Sequence, residues 1–333
     1  MKIYLAGDSI VQNYEKEEFI AGWGQFLPFF IKDGVEVVND AKGGRSSRLF
    51  INEGRFDNIE KNISAGDYLL IEFCHNDDAS KEYKTMFNRL TPLGEPDSDG
   101  RFPIIPGEAM PKDYIPPEYI DALRKDENVK DKQAVLDSVY KILESYPHDT
   151  YYPYSADGSK GTYLGFLKQF VDMAREKGAV PVFVTAPART VYDANGNIKD
   201  GAGLHGGNNF AYIRAMKQLG EEAKVPVIDL FAYSCGLYKQ IGKEKIHWIT
   251  SIKKGCNKGI WPDDFNSEMQ KKETVSEDTH FNKYGAMLIT QGLVKLIKES
   301  DSSQLDGLKG MLKNPDGIDI EKYVKKPLVF EKF

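Results

Sequence analysis

Short apolar runs, each bounded by glycine, aspartate, asparagine or proline, recur along the chain at Lys2 to Ala6, Val35 to Asn39, Tyr68 to Phe73, Val180 to Ala186 and Val225 to Leu230. Their length and β-branched content read as strands, and their nearly continuous apolar character reads as strands buried on both faces. Between them the apolar positions recur at helical spacing, over roughly Arg55 to Ile63, Tyr163 to Lys177, Asn209 to Ala223 and Tyr284 to Glu299. In the last of these Met287, Leu288, Leu293, Leu296 and Ile297 mark one face. Strands alternating with helices predict an α/β fold: a parallel sheet, right-handed crossovers, and helices on both faces.

The alternation stops between Asp78 and Thr162. There the chain turns to proline, glycine and aromatic residues, as in TPLGEPDSDGRFPIIPGEAMPKDYIPPEY, with a single helical stretch near Asp131 to Glu144. A segment this long is not a plain connection, and it reads as an insertion over residues 79–160 on a single domain spanning 1–300. Residues 301–333 form a charged C-terminal extension ending in KKPLVFEKF, a segment expected to dock on the body or on a partner subunit, which would make the protein a homo-oligomer. With 333 residues the chain suits one α/β core and its embellishment.

Composition narrows the function. The formal net charge is -6 and no basic stripe interleaved with aromatics occurs, so nucleic acid is not an expected partner. No stretch reaches membrane-spanning length and no membrane association is expected. The N-terminus lacks the basic, apolar and small-residue segments of a secretory signal, which points to the cytoplasm, or to secretion if a signal has been trimmed. The three cysteines, Cys74, Cys235 and Cys256, form no CxxC pair, and the five histidines show no metal-ligand spacing, so neither a disulfide framework nor a cofactor or metal is expected.

Ligands in open α/β sheets gather beyond the carboxyl ends of the strands. Following the first four strands, those ends carry GDS, NDAKGGRSSRLF, CHND and APAR. Ser9 supplies an alcohol nucleophile. His280, in SEDTHFNKYGA, supplies a base, with carboxylates at Glu277 and Asp278 to orient it. Gly43 and Gly44 let backbone amides approach closely, and with the Ser9 amide and the Asn76 side chain they offer donors to an oxyanion. Singly, each feature has a plainer reading: GDS as a turn, GGRSS as a helix cap, the histidine and acids as a surface pair. Their joint placement after successive strands favours a hydrolase.

The blocks GDS, GGRSS, HND and an acid three residues before a late histidine resemble the signature blocks of the SGNH (GDSL-type) hydrolases. The fuller strings AGWGQFL, VVNDAKGGRSSRLFINEGRFDNI, GDYLLIEFCHND, VPVFVTAPAR and DTHFNKYGA are similar to rhamnogalacturonan acetylesterases, carbohydrate esterase family 12. The similarity runs over about residues 1–78 and 146–299. It implies a three-layer sandwich around a five-stranded, flavodoxin-like parallel sheet, with Ser9 as nucleophile, His280 as base, and the Ser9 amide, Gly44 amide and Asn76 side chain as oxyanion donors. It implies no metal.

Two positions depart from the family pattern. Cys74 occupies the usual glycine of the third block and reads as a buried packing residue. The family acid falls three residues before the histidine, at Glu277, while the aspartate, Asp278, stands one step nearer; spacing favours Glu277.

By resemblance the substrate is acetylated rhamnogalacturonan, an acidic carbohydrate. Its carboxylates would need local cations, for which Arg45, Arg48, Arg189 and Lys283 are candidates, each with a structural ion pair as the alternative. His205 and Asn208 are further candidates for substrate contact, and Tyr151, Tyr152 and Tyr154 for stacking on sugar rings or for core packing. Rival readings are an esterase acting on xylan, a lipid or a thioester, and a sugar-binding protein without catalysis. A dinucleotide-binding oxidoreductase is suggested only by GAGLHG at Gly201 to Gly206, which follows a polar stretch rather than a strand.

Overall fold

The computed structural model describes residues 1–15, 20–78, 87–201, 208–252 and 276–324. Its centre is a five-stranded sheet of β1 (Lys2–Gly7), β2 (Glu36–Asn39), β3 (Tyr68–Glu72), β4 (Val180–Val184) and β5 (Val227–Ile228), in the order β2-β1-β3-β4-β5 and parallel throughout. β3 lies in the middle and is buried at every position, as its unbroken apolar run requires, whereas β2 at the edge is partly exposed.

Helices α1 (Ser47–Asn52), α2 (Arg55–Asn62), α3 (Tyr163–Glu176) and α4 (Ala211–Ala223) pack together as one layer. Helices α5 (Leu230–Ile241) and α6 (Lys283–Glu299) make the other, joined by short 3-10 turns at Trp23–Gln25 and Leu27–Phe30. Aromatic edges lock the first layer to the sheet: Phe73, just beyond β3, meets Phe50 of α1 at 5.3 Å and Phe170 of α3 at 5.5 Å between ring centroids.

The strand and helix expectations hold with local shifts. The fifth strand, expected over Val225 to Leu230, is cut to Val227–Ile228 because the Val225 amide closes the end of α4 on the Gly220 carbonyl, while Asp229 caps α5 through the Ala232 amide. The helix expected from Asn209 begins at Ala211, since Asn209 and Phe210 take left-handed backbone angles, φ 53° and 50°.

Within the insertion, helices at Pro117–Lys125 and Lys132–Ser145 and a small antiparallel pair, Met110–Pro111 with Thr150–Tyr151, enclose a satellite core. Phe87, Tyr119, Val139, Leu143, Tyr146 and Tyr151 build it, and it docks on Leu49 of α1. Beyond α6 the chain returns to the body: Leu305, Leu308, Met311, Leu312 and Ile320 are buried in the main cluster, and Lys313 donates its amide to Phe30. The segment KKPLVFEKF lies outside the described residues. Among the described residues no helix is long and apolar enough to cross a membrane.

Candidate active site

Strand order reverses between β1 and β3, and a doubly wound sheet opens its crevice at such a switch point. Ser9 sits there, in the turn that ends β1. Gly7 makes the turn possible, because a Cβ at that position would lie 2.5 Å from Val11 Cγ2 and 2.9 Å from the Glu72 carbonyl oxygen. Asp8 then pins the chain: its Oδ1 accepts the Ile10 amide at 2.9 Å and its carbonyl accepts the Val11 and Gln12 amides. Ser9 is thereby held at 8% exposure.

His280 arrives from the other end of the chain. It lies on the strand Ser276–Phe281, which pairs antiparallel with Thr250–Ile252 and is clamped by the Ala21 amide on the Phe281 carbonyl at 2.9 Å. Asn282 immediately caps α6, accepting the Gly285 amide and donating to the Trp248 and Thr250 carbonyls. So fixed, His280 places Nε2 2.8 Å from Ser9 Oγ. That is the distance at which an imidazole can take a hydroxyl proton.

The sequence places three oxyanion donors at the Ser9, Gly44 and Asn76 positions. The Gly43 amide is spent on Gln12 Oε1 at 2.5 Å. Gly44, held at φ 81° where only glycine is unstrained, and Ser9 both present amides that meet no acceptor among the described residues. Asn76 donates one of its two amide protons to Asp8 Oδ2 at 3.0 Å, which orients the side chain and leaves the second proton available. Asp8, within GDS, and Gln12 are positioning residues of the site that their sequence context does not mark as such.

The acid behind His280 is treated unequally. Asp278 is 49% exposed in its side chain; its Oδ1 accepts the Thr279 hydroxyl at 2.8 Å and stands 3.8 Å from Arg189 Nη1, with no hydrogen bond to His280. The side chain of Glu277 lies outside the described residues, as do His205 and the side chain of Asn208.

The candidate substrate cations are mostly committed elsewhere. Arg48, expected at the mouth, is 1% exposed and donates to the carbonyls of Tyr152, Phe87 and Leu90, so it ties the insertion to α1 and cannot reach a sugar. Arg45 makes paired 2.8 Å bonds to Glu53 and a third to the Gly43 carbonyl, bracing the glycine turn. Arg189 donates to the Thr279 hydroxyl at 2.6 Å, beside His280. Tyr151 and Tyr154 are buried and Tyr152 packs edge-on against Phe166, so none is free to stack on a sugar. Cys74 is fully buried and burial pushes its thiol well above its ordinary range, as suits packing rather than chemistry. No cluster of metal-ligating side chains occurs among the described residues.

Beneath the site lies a layer of buried acids. Burial raises Asp8 to about 6 against the pull of its hydrogen bonds and of His280, and raises Asp77 to about 7 although Asp77 accepts both the amide and the hydroxyl of Ser47. Glu72, at the end of β3, is 0% exposed, meets no hydrogen-bond donor with either oxygen among the described residues, and is driven up by burial and by Asp8 and Asp77. Groups raised in this way bind protons more tightly when folded. Their contribution is therefore fully present below about 4 and is lost as pH climbs through the folded values.

Thermal stability is accordingly expected to fall between about pH 4 and 7. Glu72→Gln, neutral at every pH, is expected to raise Tm at pH 8 and to flatten the decline. Calorimetry of both proteins across that range checks this, and an equal Tm change at pH 4 and pH 8 would contradict it.

No family model matches the chain. It is 30% identical over 300 residues to the rhamnogalacturonan acetylesterase RhgT of Bacillus subtilis (strain 168), covering 90% of each protein. It is also 30% identical over 298 residues to the probable rhamnogalacturonan acetylesterase YesY of the same organism, covering 89% of this chain and 92% of that one. A rhamnogalacturonan acetylesterase of Emericella nidulans is 45% identical over 78 residues, 23% of this chain and 29% of that one. Among solved structures, the crystal structure of YxiM from Bacillus subtilis superposes with a TM-score of 0.51 at 20% identity, over 91% of this chain and 57% of that one, which shows a shared fold. With near-complete coverage of relatives at this identity, the chain belongs to the rhamnogalacturonan acetylesterase family of GDSL-type (SGNH) hydrolases.

Proposed function

We propose that the protein removes O-acetyl groups from rhamnogalacturonan, as polymer or oligosaccharide, through an acetyl-Ser9 intermediate. The observation that carries this reading is the 2.8 Å approach of His280 Nε2 to Ser9 Oγ, with the Ser9 and Gly44 amides meeting no acceptor among the described residues. The names of the full-length relatives supply the substrate class.

In the first half of the reaction Ser9 Oγ attacks the acetyl carbon while His280 Nε2 takes its proton. The carbonyl oxygen gains the electron pair and is met by the Ser9 and Gly44 amides and the remaining Asn76 proton. Collapse of this tetrahedral species breaks the bond to the sugar oxygen, which receives the proton from His280. Water then repeats the sequence: it attacks the acetyl carbon, gives its proton to His280, and expels Ser9 Oγ, which recovers that proton as acetate leaves. Glu277 is our choice for the group that orients His280, supported by its spacing and by the engagement of Asp278 with Thr279 and Arg189. We place the action on short fragments in the cytoplasm, a reading supported by Cys74 and Cys235 being free thiols.

A substrate panel tests the reading. Acetate release from acetylated rhamnogalacturonan fragments is expected to exceed that from acetylated xylan fragments by about tenfold or more in kcat/KM, and long-chain nitrophenyl esters are expected to be poor substrates. Faster release from xylan, or efficient long-chain turnover, would replace this reading with the corresponding esterase.

A further inference from the structure

We infer that Arg89, at the root of the insertion, binds a carboxylate of the substrate next to the acetylated sugar and so selects acidic carbohydrate. The inference rests on the acetylesterase reading above and adds to it a residue that no motif marks.

Its basis is position and vacancy of charge. A Cβ built on Gly44 would lie 3.0 Å from Arg89 Nη2, 3.2 Å from Cζ and 3.6 Å from Nε, so the guanidinium lies directly against the glycine that the proposed mechanism uses as an oxyanion donor. A Cβ on the adjacent Gly43 would lie 3.4 Å from Ser9 Cβ. Guanidinium, oxyanion donor and nucleophile therefore follow one another along a single rim.

The charges around Arg89 do not cancel it. Arg45 is its neighbour and repels it, while the nearby carboxylate, Glu53, is held by Arg45 in paired 2.8 Å bonds and by Arg55 at 3.2 Å. Arg89 itself makes no ion pair and no side-chain hydrogen bond with another described residue. Burial and Arg45 both make its charge costly to keep, and a half-buried guanidinium with no ionic partner among the described residues, in a chain of net charge -6, is complementary to an anion. A planar fork beside the reacting centre matches a uronate carboxylate in two parallel bonds. The other arginines weighed for this role are engaged elsewhere: Arg48 is buried and bound to three carbonyls, Arg45 is paired with Glu53, and Arg189 binds Thr279 beside Asp278.

The test is a cycle of residue against substrate charge. Wild type, Arg89→Gln and Arg89→Lys are assayed on acetylated rhamnogalacturonan oligosaccharides with free carboxylates, on the same oligosaccharides after methyl esterification, and on 4-nitrophenyl acetate. Wild type is expected to prefer the free acid over its methyl ester by about ten- to thirtyfold in kcat/KM, mainly through KM. Arg89→Gln should bring that ratio to within about twofold of unity, and Arg89→Lys should keep part of it. A preference that survives in Arg89→Gln overturns the inference. So does an equal loss on all three substrates, which would make Arg89 a support for the Gly44 amide. If wild type releases no acetate from either oligosaccharide while hydrolysing 4-nitrophenyl acetate, the functional reading itself falls, and the inference with it.

Discussion

Replacing Ser9 by alanine is expected to lower acetate release by about 10³-fold to 10⁶-fold, with little change in Tm. The serine hydroxyl touches His280 and little else, so its loss removes the nucleophile without opening the core. The residual rate would come from binding and from the oxyanion donors, which stay in place. His280→Ala should match it, since nucleophile and base act as one unit and their losses do not add.

The carboxylates give a sharper comparison within the same experiment. Glu277→Ala is expected to cost about 10²-fold to 10⁴-fold in kcat, while Asp278→Ala should cost less than about tenfold, because Asp278 spends its carboxylate on Thr279 and Arg189. Acetate assays on purified variants with unchanged circular dichroism decide both matters. A Ser9→Ala enzyme that keeps a tenth of the activity would end the acyl-enzyme mechanism, and a reversed order of the two acids would reassign the orienting group.

The largest stability effect is expected at Gly165, in the first turn of α3. A Cβ there would lie 1.7 Å from the Ile105 carbonyl oxygen and 2.5 Å from its carbon. Those atoms are backbone, and they cannot swing aside. Thr162 rivets the same strap, donating its amide to the Ile105 carbonyl and its hydroxyl to the Pro103 carbonyl at 2.8 Å, while its oxygen accepts the Ile105 amide at 3.1 Å.

Alanine gains roughly 1 kcal/mol over glycine in helix propensity, but overpacking against fixed backbone costs about 3 kcal/mol or more, so the clash wins. Gly165→Ala is expected to lower the urea midpoint accordingly. Gly236→Ala, in the middle of α5 with nothing near its Cβ, should raise it by the equivalent of about 0.5–1 kcal/mol. Equal midpoints for the two variants would show that the strap is not anchored as described.

The sheet and the loops that carry Ser9, Gly44 and Asn76 were legible in the sequence for a common reason, while His280, on a strand outside that sheet, was legible only from its own late block. Strand runs are contiguous, and in a doubly wound sheet the loops after their carboxyl ends must converge, so GDS, GGRSS and HND could be placed together without coordinates. What escaped were contacts made across the insertion. Arg48 looked like a mouth residue because its partners, the carbonyls of Phe87, Leu90 and Tyr152, are backbone groups that carry no side-chain signature. Arg89 was invisible because the atom it covers is a glycine Cα in a loop that precedes it by 45 positions, a relation with no periodicity behind it. Helix α5 was likewise missed: LFAYSCGLYKQI is apolar around most of its circumference and shows no clear face.

The separation of Ser9 and His280 by 271 positions has a consequence for biosynthesis. β1 leaves the ribosome well before the strand bearing His280, which is clamped only when it reaches Ala21 and Thr250. Between the two, a nascent chain carries its serine without the base that the proposed mechanism assigns to it. On the mechanism proposed above, a chain that stops between Ser9 and that strand is inert, and reactivity waits for the strand that bears His280.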